Sequence, residues 1–329
     1  MIEVALFGAG RIGKIHAANI ARLRGQARLK YIVDVDRDAA VELAAKYRAE
    51  VRSPDAALGD EAVRAVVIAS STDTHAELIQ KAAAAGKAIF CEKPVDLDAV
   101  RARACAHAVG RTGVVCLIGF QRRHDPTFVA LKQRLDAGEV GNAEMLIITS
   151  RDPGAPPIEY IRRSGGIFKD MLIHDFDVFR WILNDEAASI YATGSCLVDT
   201  AIGGAGDVDS TAVTIRTRHQ RLVQISTSRR AAYGYDQRVE VLGSKGMLQA
   251  GNLKPTEVFA HTAEAISEDK PEASFLERYR VAYAVEMEHF FDAIDKDTPL
   301  RATINDGVKA LELADAAMRS WREKRVIEL

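Results

Sequence analysis

Three groups of residues in this chain of 329 have types and spacing suited to chemistry. The first is Gly8-Ala9-Gly10-Arg11-Ile12-Gly13, a GxGxxG between an apolar run and a helical pattern. In such a loop the first glycine permits a tight turn, the second lets backbone approach a pyrophosphate, and the third packs helix against strand. The N–H groups of the first helical turn, with Arg11, Ile12 and Gly13, then face the anion. Asp34 ends the second apolar run, at about the 20-residue distance a dinucleotide fold requires. A carboxylate there accepts from a ribose 2′-OH and repels a 2′-phosphate, which favours NAD; Arg37 close by keeps NADP open as the lesser alternative. A structural turn beside a surface acid is the plain alternative, and the agreement of strand, loop, helix and acid weighs against it. The second group is Cys91-Glu92-Lys93-Pro94, placed after a strand at the carboxyl edge where ligands bind in parallel sheets. The third is Asp170 and His174, four apart and hence on one face if helical. An imidazole, with an ordinary pKa of about 6.5, is a natural base for a hydroxyl proton. A lone histidine is more often a packed helix residue. Asp177 would add a third metal-compatible position, yet no HExxH or cysteine pair supports zinc, so metal-independent chemistry is expected.

The elements that must position these groups follow from periodicity. Runs at 3–7, 29–33, 65–70, 88–91 and 114–118 read as strands buried on both faces, alternating with helical patterns at 16–24, 38–47, 74–85 and 98–109. That alternation implies a parallel sheet with helices on both sides. Ser70, Ser71, Thr72 and His75 then line the nicotinamide side, with Thr74 open as a helix cap. Beyond Gly119 the pattern changes. Asp125-Pro126 starts a helix to about 135, and strands follow at 144–150, 190–192, 211–216, 222–228, 238–242 and 247–249. Alternation such as Val213-Thr214-Ile215-Arg216 fits an antiparallel sheet with one exposed face. Helices are expected at 168–183, 276–295 and 306–322, a glycine-rich loop at 201–209, and a last strand at 325–327.

The Glu92-Lys93-Pro94 motif after a dinucleotide loop resembles the glucose–fructose oxidoreductase and inositol dehydrogenase family (Gfo/Idh/MocA). Arg162 to Asp177 resembles the catalytic stretch of its bacterial inositol 2-dehydrogenases. So do Gln121-Arg122-Arg123-His124-Asp125-Pro126, Ser150-Arg151-Asp152-Pro153, Tyr233-Gly234-Tyr235-Asp236, Gly243-Ser244-Lys245-Gly246, and Ala282-Tyr283 with Glu286. Their order and spacing extend the resemblance over essentially the whole chain. It implies a Rossmann domain at 1–120 and an α+β domain with a large, open, mostly antiparallel sheet at 121–329, whose terminal helix packs on either domain. It also implies a homo-oligomer, most often a tetramer, built on the exposed sheet face. By the same resemblance Lys93 holds the substrate hydroxyl and the nicotinamide ribose, His174 takes the proton, and Asp170 positions substrate or imidazole. Glu92, Pro94 and Gln121 would join the cofactor site; Arg123, Asp152, Tyr235 and Tyr283 would contact substrate hydroxyls. The implied reaction is NAD-dependent oxidation of a ring hydroxyl of a polyol, myo-inositol first, with scyllo- or chiro-inositol or an aldose as alternatives. Family members often carry an aromatic where this chain has His124, which bears on the exact substrate and leaves the hydride chemistry untouched.

Composition narrows the classes. A net charge of −2 gives no reason to expect nucleic acid or an anionic membrane as partner. No apolar run is long enough to span a bilayer, and no signal peptide precedes the first strand, so a cytoplasmic location is expected. Cys91, Cys105, Cys116 and Cys196 lack CxxC spacing and read as buried apolar residues. A zinc alcohol dehydrogenase is disfavoured by that spacing and by a glycine loop that opens the chain. A non-catalytic NAD(P)-binding regulator is the competing class. Such a protein need not keep Lys93, Asp170 and His174 together.

Overall fold

In a computed structural model describing residues 1–329, the apolar runs of the first third become strands and the periodic segments helices. In order these are β1 (Ile2–Phe7), α1 (Arg11–Arg22), β2 (Ala27–Val33), α2 (Arg37–Tyr47), β3 (Glu50–Val51), α3 (Pro54–Gly59), β4 (Val63–Ile68), α4 (Thr72–Ala84), β5 (Ala88–Glu92), α5 (Ala99–Thr112) and β6 (Cys116–Gly119). A single 3₁₀ turn, Gln121–His124, follows. The strands pair in the order β3-β2-β1-β4-β5-β6, all parallel. Strand order reverses between β1 and β4, the point at which doubly wound sheets open a crevice for ligands. Helix starts follow capping chemistry: the Asp36 carboxylate accepts from Asp38 and Ala39 N–H, and Asp98 from Val100 and Arg101. The small pair β3 and α3 was not expected; two residues of strand carry no readable period, although Ser53-Pro54 is a cap followed by proline.

The chain continues through α6 (Pro126–Asp136), β7 (Ala143–Arg151), α7 (Ile158–Ser164), α8 (Gly166–Asp170), α9 (Leu172–Leu183), β8 (Ala187–Ser195), α10 (Thr200–Gly204), β9 (Ser210–Thr217), β10 (Leu222–Ser228), β11 (Asp236–Gly243), β12 (Gly246–Ala250), β13 (Phe259–His261), β14 (Ile266–Glu268), α11 (Phe275–Arg278), α12 (Arg280–Lys296), α13 (Ile304–Glu323) and β15 (Ile327–Glu328). Seven of these strands form one sheet, β12-β11-β7-β10-β9-β8-β15, and β13-β14 stand apart as a hairpin. The large sheet is antiparallel except for the β7–β10 pair. Its period-two sequence puts Leu146, Ile148, Val213, Ile215, Val223 and Ile225 on one face, in a core shared with Phe176 and Phe179 of α9. Three expectations are corrected. The helix at 168–183 is two helices broken at Met171, the helix at 276–295 is broken at Tyr279, and the glycine-rich loop at 201–209 contains α10, capped by Asp199.

The chain divides into two units, Met1–His124 with Ala282–Leu311, and Asp125–Val281 with Glu312–Leu329. The first unit thus draws on 282–311 as well as on 1–124, where the expected division lies at 120 with the terminal helix free to pack on either domain. Met287, Phe290 and Phe291 of α12 pack into the same core as Leu6, Val67 and Phe90. The Ile118 N–H donates to Ala302 O at 3.1 Å, so backbone as well as side chains fix this segment.

Candidate active site

Every element of the predicted cofactor site lies at the carboxyl ends of the parallel strands. Gly8 leaves β1 with φ +106°, and a Cβ on it would lie 2.4 Å from Ala69 O at the end of β4; a Cβ on Gly13 would lie 1.9 Å from Gly8 O. The sequence therefore needs glycine at both places to close β1, β4 and α1 together. At Gly10 a Cβ would meet nothing within 4 Å, and α1 begins there with no side-chain cap. The loop leaves open space before a helix N-terminus, which suits a pyrophosphate. Asp34 closes the far side: Oδ2 accepts from Ala9 N at 2.5 Å and Oδ1 from Asp36 N at 2.8 Å. Each carboxylate oxygen keeps a second lone pair, enough for a ribose hydroxyl. Arg37, the first residue of α2, is exposed. These residues fit a dinucleotide.

The ends of β4 and β5 are tied by His75. Its Nδ1 lies 2.8 Å from Pro94 O and its Nε2 3.1 Å from Ser70 O. Burial lowers this imidazole's pKa below its ordinary value although both carbonyls favour the charged form. A neutral ring donates to only one carbonyl at a time, so we take it as a buried crosslink that sets the loop carrying Lys93-Pro94, a cis peptide. Ser70 and Thr74 share a hydroxyl hydrogen bond of 2.7 Å, and Thr74 Oγ1 also donates to Ser71 O. Next to Lys93 in the chain, the Glu92 carboxylate meets the fully buried His16 Nε2 at 2.7 Å, and His16 packs edge-on against Phe90 and Tyr283. Sequence reading missed His16. Its signal was a polar residue on the buried face of α1, among Gly13, Ala17 and Ile20.

In the second unit Asp170 ends α8 and His174 lies in the first turn of α9. They are four residues apart across the break at Met171, not on one continuous helix, and the His174 N–H turns to Met171 O at 3.3 Å. Asp170 is fixed from two sides: Tyr160 Oη donates to Oδ1 at 2.9 Å, and both Nη atoms of Arg229 lie 3.4 Å from Oδ2. His174 is half-buried; Asp175 and Asp177 are fully buried. No group of three or more His, Cys, Asp or Glu side chains is arranged to hold a metal. Nucleotide cradle, lysine-bearing strand end, and an acid–imidazole turn are the parts that hydride transfer from an alcohol requires.

Residues 2–120 match the family model for the NAD-binding Rossmann fold of the Gfo/Idh/MocA oxidoreductases, and residues 132–329 match that family's C-terminal alpha/beta domain. The chain belongs to this oxidoreductase family. It is 49% identical over 328 residues to the inositol 2-dehydrogenase of Rhizobium meliloti (strain 1021), covering 100% of this chain and 99% of that protein. The crystal structure of a myo-inositol dehydrogenase from Corynebacterium glutamicum ATCC 13032 superimposes with a TM-score of 0.95 at 41% identity, covering 100% and 99% of the two chains. A scyllo-inositol dehydrogenase from Lactobacillus casei, solved with bound NAD(H) and scyllo-inositol, superimposes with a TM-score of 0.93 at 28% identity, covering 100% and 99%.

The secondary candidates of this Gfo/Idh/MocA family member are placed unevenly. Tyr283 is buried beside His16, and Tyr235 is buried edge-on to Tyr279 at 6.0 Å. The Asp152 N–H donates to Ser228 O, which holds the turn after β7 next to the end of β10. Gln121 is buried in the 3₁₀ turn. Arg123 is also buried; its Nη1 donates to Arg301 O at 2.5 Å and Nη2 to Asp306 Oδ1 at 3.1 Å, which makes it a tether to the start of α13. His124 is 1% exposed, with its ring 5.1 Å from that of His289 and tilted to it, so it lies in the interior. No helix is long and apolar enough to cross a membrane.

Proposed function

We propose that this protein oxidises one ring hydroxyl of an inositol with NAD, converting myo-inositol to its 2-keto derivative. The observation that carries this reading is the joint presence of Lys93 at the end of β5, and Asp170 with His174 across the α8–α9 junction, in a family member whose relatives bear inositol dehydrogenase names. When bound, NAD supplies the acceptor for the hydride that leaves the carbinol carbon. Lys93 holds the hydroxyl oxygen and stabilises its developing negative charge. The His174 imidazole accepts the hydroxyl proton, so the alcohol loses one proton and one hydride and becomes a ketone. The Asp170 carboxylate stabilises the imidazolium that results and orders the substrate beside it. Asp152, Tyr235 and Tyr283 serve as contacts for the remaining hydroxyls, since each buried polar group of a polyol left unmatched costs free energy. Arg123 supports the site from its tether rather than from a contact with substrate.

The protein works in this reading as a cytoplasmic homo-oligomer, a tetramer by preference. Leu222, Met145, Leu242 and Met247 fall in one row across β10, β7, β11 and β12, on the side of the sheet facing away from its core. Leu222, Leu242 and Met247 are at least 40% exposed, and an apolar row on an outward sheet face fits a self-complementary contact. Four cysteines without a disulfide fit a reducing compartment.

The test is NADH formation at alkaline pH with myo-, scyllo- and chiro-inositol and glucose, using NAD and NADP separately. Turnover of an inositol with NAD is expected, reduced by roughly 10²- to 10⁴-fold in His174→Ala. NAD binding with no turnover of any polyol would replace this reading with that of a nucleotide-binding regulator.

A further inference from the structure

Arg229, at the end of β10, is 1% exposed, and its Nε has no hydrogen-bond acceptor. Burying a guanidinium is costly unless its charge is compensated, and a purely structural arginine normally saturates its donors. Here both Nη atoms point at one atom, Asp170 Oδ2, at the long hydrogen-bond distance of 3.4 Å. Two further groups act on Asp170. Tyr160 of α7 donates to Oδ1, and Asp207, just past α10, lies close enough for its charge to be felt. Within its own run Lys169 turns away to Asp315 at 2.7 Å, and His174 follows one turn later. Asp207 is held in place by structure. Its Oδ2 accepts the Ile167 N–H at 2.9 Å, and Gly166, at φ +74°, leaves room for that carboxylate, since a Cβ there would lie 2.7 Å from it. Burial pushes the Asp207 carboxyl above its ordinary range, and the neighbouring Asp170 adds to the rise while Arg229 opposes it. Two carboxylates therefore lie in the field of one buried cation, and of the two Asp170 is the one that precedes His174 by four residues.

We infer that Arg229 is a positioning residue for the hydroxyl oxidation: it holds Asp170 as an oriented carboxylate against the opposing charge of Asp207, and so sets the pH at which the Asp170–His174 turn becomes competent. This rests on the reading of Asp170 and His174 given under Proposed function. Neutralising Arg229 removes a buried positive charge beside the Asp170–His174 turn, which favours the protonated form of the His174 base and moves the acid limb of inositol oxidation to higher pH. Removing the charge of Asp207 moves it the other way.

The experiment is the pH profile of kcat and kcat/KM for inositol with saturating NAD in Arg229→Gln, Arg229→Lys, Asp207→Asn and Asp170→Asn, each with circular dichroism and KM for NAD. Arg229→Gln is expected to raise the acid limb by about 1 pH unit or more and to lower kcat at pH 7 at least tenfold, with KM for NAD unchanged. Arg229→Lys restores the limb to within a few tenths, and Asp207→Asn lowers it. Folded Arg229→Gln with a profile superimposable on the parent overturns the inference, as does an unmoved limb in Asp207→Asn should Arg229→Gln fail to fold. If Asp170→Asn turns over inositol at the parental rate, the underlying assignment of Asp170 is at fault. If Asp170→Asn is inactive while both other sites leave the profile unmoved, only the role of Arg229 falls.

Discussion

The Asp34 carboxylate ties Ala9 of the glycine loop to Asp36, the cap of α2. In the proposed reading its remaining lone pairs accept from a ribose hydroxyl of NAD. Asp34→Ala is therefore expected to raise KM for NAD by roughly 10- to 100-fold, the worth of one or two hydrogen bonds to a charged group, and to narrow the preference over NADP. Measured kcat/KM for the two cofactors gives both numbers, and an unchanged ratio would remove Asp34 from cofactor choice. At this scale the sequence was informative wherever a residue type implies a partner of known chemistry, as with Gly8, Gly13 and Asp34. It was silent on Arg229, His16 and Asp207, whose partners Asp170, Glu92 and Ile167 are respectively 59, 76 and 40 residues away. Arg123, expected beside its motif as a substrate contact, donates to Arg301 O and Asp306, partners that lie 178 and 183 residues away and that no local pattern announces.

Elements were legible to within a few residues where a period ran for two turns or more. They failed at breaks. Met171 and Tyr279 interrupt helices whose apolar pattern continues straight through, because the pattern records which side is buried and not where the backbone hydrogen-bond ladder tightens. The 3₁₀ turn and α12 supply the clearest pH effect. Burial, aided by the charges of His289, Arg301 and Arg123, pushes His124 well below its ordinary value, and His289 is lowered by burial and Arg301 as well. His289 Nε2 accepts from Arg301 N at 3.2 Å and so carries no proton there, while neither ring nitrogen of His124 has a partner. A histidine whose folded pKa is depressed takes up more protons when unfolded. Stability is thus full above the unfolded pKa of about 6.5 and is lost as pH falls toward the folded values. Thermal melts from pH 8 to 5 should show a falling Tm below about 6.5, and His124→Phe should flatten that fall and add about 1 kcal/mol by removing an unsatisfied buried group. Parallel melting curves for the two proteins would refute this account.

For the whole molecule, the outward row of Leu222, Met145, Leu242 and Met247 leads to a prediction about assembly. Met145→Lys with Leu222→Lys places like charges on adjacent strands of that face, and light scattering should report a smaller particle than the parent, with circular dichroism unchanged. An unaltered mass would put the oligomer contact elsewhere. By itself the sequence determined the order of strands and helices, the Rossmann character of the first 120 residues, and the face each amphipathic strand buries, because these depend on residue type over short stretches. Tertiary structure decided which strands meet. The parallel pairing of β7 with β10, the addition of 282–311 to the first unit, and the buried cation beneath Asp170 all join segments tens to hundreds of residues apart. Such pairings are selected by shape, burial and charge compensation among elements already formed, and no local period in the chain encodes them.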